Sequence, residues 1–215
     1  MDFSNPEQLA VFIDVHSELP REGPGNQEST AKALSMVGSL PDEVRILDIA
    51  CGPGMQTLDL AALLPNSKIT AVDLNERFVT EANQRVQAAA LTDRVTVEIG
   101  NMKSLGFEDA SIDLIWCEGA AYIMGVKNAL TLWKKLLKPN GKIALTDAAW
   151  LKENRPPKLT EFWSDYPDMT TIDNRRDLIK QCGYKLLGDF VLPESAWWDD
   201  YYGYVFLIMS IESED

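Results

Sequence analysis

The stretch Val44-Arg45-Ile46-Leu47-Asp48-Ile49-Ala50-Cys51-Gly52-Pro53-Gly54 decides the reading of this chain. Val44–Ile49 is a short apolar run fit for a buried strand. A glycine-rich turn follows, and Met55–Leu64 then reads as a helix that Pro65 ends. Glycine at such a turn lets a ligand approach the backbone closely. The turn also opens a helix, whose first N–H groups have no intrahelical partner and favour an anion.

Working outward, the same alternation repeats. Lys68–Asp73 reads as a strand, Glu76–Ala90 as a helix, and Arg94–Ile99 and Ile112–Cys117 as strands. Val126–Leu137 reads as a helix closed by the turn residues Pro139-Asn140-Gly141, and Lys142–Thr146 as a fifth strand. The strands are continuous apolar runs, the pattern of strands buried on both faces. Alternating strands and helices predict an α/β fold: a doubly wound, mostly parallel sheet with helices on both faces. Past Trp150, helices are expected near Leu159–Ser164 and Asn174–Cys182. Tyr184–Val191 and Tyr204–Ile211 are expected as an antiparallel strand pair at one edge, for seven strands in all. Ahead of the sheet, Leu9, Phe12, Ile13 and His16 share one helical face. PREGPG, Pro20–Gly25, breaks that helix, and a second begins at the N-cap Asn26 with Ala33, Leu34 and Val37 on one face. The organisation expected is a helical cap over 1–43 and one compact unit over 44–215.

The chain has 215 residues, the size of one domain. Its 20 basic residues against 33 acidic ones give a net charge of -13. That balance argues against nucleic-acid partners, which call for a basic footprint. It also argues against docking on anionic membranes through a polybasic patch. The 3 cysteines, Cys51, Cys117 and Cys182, lie far apart with no CxxC pair and read as reduced thiols. One histidine, His16, argues against a histidine-built metal site. The first residues carry acids and a proline where a signal peptide has a basic, then apolar, region, and no apolar run reaches the ~20 residues of a membrane span. A cytoplasmic location is the expectation.

In a doubly wound sheet, ligands bind outside the carboxyl ends of the strands. The glycine turn lies at one such end and Asp73 at the next, where a carboxylate can accept both hydroxyls of a ribose. This is a nucleoside-binding layout. A dinucleotide fingerprint wants G-x-G-x-x-G; here Gly52 and Gly54 are followed by Thr57 at the third position, which counts against an NAD(P)-dependent oxidoreductase.

LDIACGPGMQT, AVDLN, IGNMKSLGF, IDLIWCEGA and LLKPNGKIALTD, in this order, resemble the class I S-adenosylmethionine (SAM)-dependent methyltransferases over Val44–Ala148. The nearest likeness is to the small-molecule group that includes the ubiquinone/menaquinone-type C-methyltransferases. The resemblance implies SAM as cofactor and a small-molecule methyl acceptor. It implies that Asp48 and the backbone of Ala50, Cys51 and Gly52 hold the methionine end, that Asp73 holds the ribose, and that Leu74 packs on adenine. Asn101 would bond the adenine amino group and the Met102 N–H a ring nitrogen; Cys117 and Glu118 would face the reacting methyl. Two residues depart from the family pattern. Ala50 stands where a glycine is usual, and its methyl is tolerated if its φ stays negative. Asn101 stands where Asp is common and keeps a carbonyl acceptor.

Methyl transfer needs a base only when the acceptor must lose a proton. Glu118 and His16 are the candidates, His16 on condition that the N-terminal helices fold over the pocket as a lid. Trp197, Trp198, Tyr201 and Tyr202 divide evenly between core and substrate pocket. A non-catalytic SAM-binding domain remains the other alternative.

Overall fold

β1 (Arg45–Ile49) lies at the centre of a parallel sheet, between β2 (Lys68–Asp73) and β4 (Ile112–Cys117). β3 (Val95–Ile99) pairs with β2, and β5 (Leu137–Leu145) with β4, giving the order β3-β2-β1-β4-β5. This computed structural model describes His16, residues 19–164 and residues 166–202, and all counts refer to these. The expected doubly wound parallel architecture is therefore present. The order reverses at β1: the chain winds outward through β2 to β3, then returns to lay β4 on the other side of β1. A crevice opens at the carboxyl ends of those strands.

The continuous apolar runs have their cause in this arrangement. Every residue of β4 is buried, and so are the last four of β1. Successive residues serve opposite faces. Ile46, Ile69, Ala71 and Leu114 pack with Leu60 and Ala61 of α2 (Met55–Leu63), and with Val79, Ala82 and Val86 of α3 (Glu76–Ala88). Val37, Ala33 and Leu34 of α1 (Gln27–Val37) complete that face. Leu47, Ile49, Val72 and Ile115 pack on the other face against Ala129, Leu130 and Trp133 of α4 (Val126–Trp133) and Leu178 and Ile179 of α6 (Ile172–Gln181). α5 (Pro157–Phe162) buries no residue. α1 starts as its sequence predicts: the Asn26 side chain accepts from the Ser29 N–H at 2.9 Å.

Three local expectations need correction. The turn residues Pro139-Asn140-Gly141 do not separate a helix from a strand. α4 ends at Trp133, a 3₁₀ turn spans Lys134–Leu136, and β5 then runs through the turn residues. They bulge out of its pairing with β4, where Ile112 faces Leu137 but Leu114 faces Lys142. The Tyr184–Val191 segment is not a strand. Its side chains are taken up by helices: the Tyr184 hydroxyl donates to the Leu130 carbonyl at 2.9 Å, and Lys32 of α1 lies 4.3 Å from the Phe190 ring centre. Its proposed partner, Tyr204–Ile211, lies outside the described residues, as does the helix expected through Leu9, Phe12 and Ile13. Thus five strands, not seven, form the main sheet among the described residues. β6 (Ala149–Trp150) and β7 (Thr170–Thr171), which the sequence did not announce, make a separate two-residue parallel pair.

Trp133 joins this core to the ligand side of the sheet. It is fully buried, and its Nε1–H donates to the Met102 carbonyl at 2.9 Å. Trp133→Ala should cost about 3–5 kcal/mol in urea unfolding, the usual penalty for emptying an aromatic site, and Trp133→Phe distinctly less.

Candidate functional site

A cavity of about 360 Å³ fills the crevice at the carboxyl ends of β1 and its neighbours. Ala50, Cys51 and Gly52 bring the first turn to it, and Asp73 and Leu74 the end of β2. Gly100–Lys103 come from beyond β3 and Glu118–Ala120 from beyond β4. Residues Arg21–Pro24 close it from the N-terminal side. The volume is within the usual ligand-pocket range of roughly 300–1,000 Å³.

The glycine turn is held from two sides. The Cys51 N–H donates to the Val72 carbonyl at 3.0 Å, and the Gly52 N–H to Asp73 Oδ2 at 2.9 Å. Asp73 Oδ1 accepts from the Asn75 N–H at 2.9 Å. Burial pushes the Asp73 carboxyl above its ordinary range, while the N–H groups of Asn75 and Gly52 pull it back. Both oxygens are thus fixed in place before any ligand arrives. Gly54 lets the turn sit against α3, since a Cβ there would lie 2.8 Å from the Ala82 Cβ. Ala50 does not keep a negative φ; it takes +58°. The turn must reverse there to carry Cys51 onto Val72, and an L-residue pays roughly 1–2 kcal/mol for that region.

The loop over the cavity is clamped by charge. Arg21, 2% exposed, donates to Asp59 of α2 and, at 2.7 Å, to Glu118 Oε2. Glu118 Oε1 accepts from Thr30 Oγ1 at 3.1 Å and Trp116 Nε1 at 2.8 Å. Gly25 makes this approach possible: a Cβ on it would lie 2.8 Å from Glu118 Oε2. Arg85 of α3 donates to the carbonyls of Leu19, Pro20 and Pro53, tying the loop to the glycine turn. Glu22 lines the cavity, and His16 Nδ1 lies 2.5 Å from its Oε2. The Gly25 N–H donates to the Ala196 carbonyl at 2.9 Å, which brings the aromatic stretch Trp197–Tyr202 beside this loop. Tyr201 and His16 have ring centres 6.4 Å apart.

A methyltransferase-domain family model matches residues 46–141. The demethylmenaquinone methyltransferase of Symbiobacterium thermophilum is 32% identical over 106 residues, 48% of this chain and 42% of that protein. An uncharacterised protein of Haemophilus influenzae is 27% identical over 187 residues, 81% of this chain and 73% of its own. Residues 46–141 thus form a methyltransferase domain that resembles those of the class I SAM-dependent enzymes. The crystal structure of a SAM-dependent methyltransferase from Thiobacillus denitrificans, solved with S-adenosylhomocysteine, shares the fold with a TM-score of 0.82. It covers 95% of this chain and 84% of that one at 22% identity.

The methyltransferase cavity takes in most, but not all, of the residues singled out in the sequence. Ala50, Cys51, Gly52, Asp73, Leu74, Asn101, Met102 and Glu118 line it. Leu74 is 68% exposed, a surface that a seated adenine would cover. Asp48 and Cys117 are fully buried and off the cavity wall. Asp48 Oδ2 accepts from Thr57 Oγ1 at 2.6 Å behind the turn. Burial pushes both Cys51 and Cys117 thiols far up, so neither is a thiolate. His16 is not on the cavity wall; among the described residues it meets the wall at Glu22. The sequence reading passed over Glu22, Phe78 and Tyr122 as cavity residues. The REGPG string was the available signal, but nothing in it told which residue turns inward. SAM fits these residues: a preset carboxylate faces the ribose position, the glycine turn admits close approach, and the acidic wall suits a cation.

Two measurements probe the turn. Ala50→Gly should stabilise the protein by up to about 1 kcal/mol in urea unfolding, because it relieves the left-handed strain. Burial pushes Asp48 up to about 7. The folded state therefore keeps a proton that the unfolded chain releases near about 4. The stability this group contributes is complete below that point and is lost as pH rises through about 7. Asp48→Asn should remove the loss, so its melting temperature relative to the parent should rise between pH 5 and pH 8.

Proposed function

We propose that the protein transfers the methyl group of SAM to a small-molecule acceptor by in-line displacement. The observation that carries this is the pairing of Asp73 with the Ala50–Gly52 turn in the wall of one cavity. In this reading Asp73 accepts the ribose hydroxyls, held ready by the Gly52 and Asn75 N–H groups. Leu74 and Phe78 flank the adenine. Asn101 accepts from the adenine amino group, and the Met102 N–H meets a ring nitrogen; Trp133 steadies that loop through the Met102 carbonyl. The turn backbone receives the methionine end. SAM, when bound, supplies a methyl already activated on a sulfonium, so the chain's own task is to orient and to exclude water. The loop Arg21–Pro24, within the cap proposed for 1–43, is the wall that does so.

Glu118, with three donors on its two oxygens, acts as the post that holds this wall. His16, backed by Glu22, is the candidate base for an acceptor that must lose a proton. A small acceptor suits both the net charge of -13 and the substrate named for the demethylmenaquinone relative. We place the protein in the cytoplasm, acting without nucleic acid or membrane. Its cysteines are unbridged, and among the described residues no helix is long and apolar enough to cross a membrane.

Calorimetry with S-adenosylhomocysteine tests the cofactor reading. A Kd in the micromolar range is expected, about 8 kcal/mol, with at least a tenfold loss on Asp73→Ala. Tight NAD binding with no S-adenosylhomocysteine signal would overturn it. Labelled SAM offered with quinols, phenols, amines and thiols then identifies the acceptor class.

A further inference from the structure

The α-ammonium of the cofactor's methionine end needs a carboxylate or carbonyl partner. The carboxylate that the family pattern offers, Asp48, is sealed behind the turn. We propose that Glu22 accepts this ammonium through Oε1, so that the cavity selects ligands carrying a free α-amino group. The proposal rests on the SAM reading of the cavity.

Four observations converge on Glu22. Its side chain lines the cavity and lies over the glycine turn: a Cβ added to Gly52 would sit 3.3 Å from the Glu22 Cγ. Its Oε2 is engaged with His16 Nδ1 at 2.5 Å, which fixes the direction of the carboxylate. Its Oε1 is buried and has no hydrogen-bond partner among the described residues. A buried carboxylate oxygen left in that state is costly, and an arriving N⁺–H repays the cost with a charge-assisted bond. Finally, burial and the nearby Glu81 and Asp73 charges push the Glu22 carboxyl up, so a cation at this point stabilises its ionised form.

The other carboxylates at the site are committed. Glu118 has both oxygens occupied by Arg21, Thr30 and Trp116. Asp73, held by the Gly52 and Asn75 N–H groups at the end of β2, is the carboxylate assigned to the ribose. The cations nearest Glu22 are occupied as well: Arg21 holds Asp59 and Glu118, and Arg85 holds three backbone carbonyls. The absence of a side chain at Gly52 therefore has a second use. It leaves room for a residue from the N-terminal loop to reach over the turn and meet the ligand from above.

Calorimetry with three probes, on the parent protein and on Glu22→Gln, tests this. The probes are S-adenosylhomocysteine, its analogue lacking the α-amino group, and 5′-methylthioadenosine, which lacks the whole amino-acid end. Glu22→Gln should weaken S-adenosylhomocysteine tenfold or more and leave 5′-methylthioadenosine unchanged. The parent should prefer S-adenosylhomocysteine over the deaminated analogue by a similar factor, and the variant should lose that preference. Equal weakening of S-adenosylhomocysteine and its deaminated analogue in the variant would show a general loosening of the loop and overturn the proposal. So would loss of the preference in Asp48→Asn but not in Glu22→Gln. If the parent binds neither S-adenosylhomocysteine nor 5′-methylthioadenosine, the SAM reading itself falls, a result separate from either of these.

Discussion

The Arg21 guanidinium, buried between the Asp59 and Glu118 carboxylates, joins the N-terminal loop to α2 and to the end of β4. The closed shape of the cavity depends on it. A buried ion pair is a weak source of net stability, because desolvation offsets most of the attraction. Its value here is positional. Breaking it would leave two acids desolvated without a counter-charge, so the loop has one favourable place to lie. Arg85 reinforces that place with hydrogen bonds to Leu19, Pro20 and Pro53 carbonyls, and thereby couples the loop to the glycine turn.

This clamp engages Arg21 and Arg85, and the cavity wall carries more carboxylates than cations, with Arg21 and Lys103 as its basic residues. Glu22, Asp73 and Glu118 line the cavity, and Asp48 stands behind the turn. Burial pushes the Glu22, Asp73 and Asp48 carboxyls up, and an incoming cation favours their ionised forms. A sulfonium ligand with an ammonium at one end answers that surplus. The net acidity of the chain, read at first only as a bar to nucleic acid, thus has a local counterpart in the wall of the site.

The parts of the fold legible in the sequence are those whose residues meet one uniform environment. β2 and β4 have the limits that their apolar runs predict, because burial on both faces admits almost nothing else. α1 begins at Asn26 because an N-cap is a local hydrogen bond. β5 was misread because Pro139-Asn140-Gly141 is a true turn signal spent on a bulge within a strand rather than on a boundary. Tyr184–Val191 has the composition of a strand, yet Leu187 and Val191 are 53% and 56% exposed, while Tyr184 and Phe190 meet helix residues Leu130 and Lys32. Composition cannot tell a sheet edge from a helix surface.

The candidate site divides in the same way. Its floor, the glycine turn and Asp73, was determined by the sequence alone, because strand ends and turn residues a few positions apart are bound to the same edge of a parallel sheet. Its roof was decided only by the tertiary structure. Glu22 is separated from Gly52 by thirty residues of chain, and Arg21 from Glu118 by ninety-seven. No local rule relates such positions. Whether Asp48 or Glu22 lines the cavity depends on which side of the turn each occupies, and the N-terminal loop folded over Gly52 puts Glu22 there. Those are consequences of how the whole chain closes on itself, and they exist only once the core beneath them has packed.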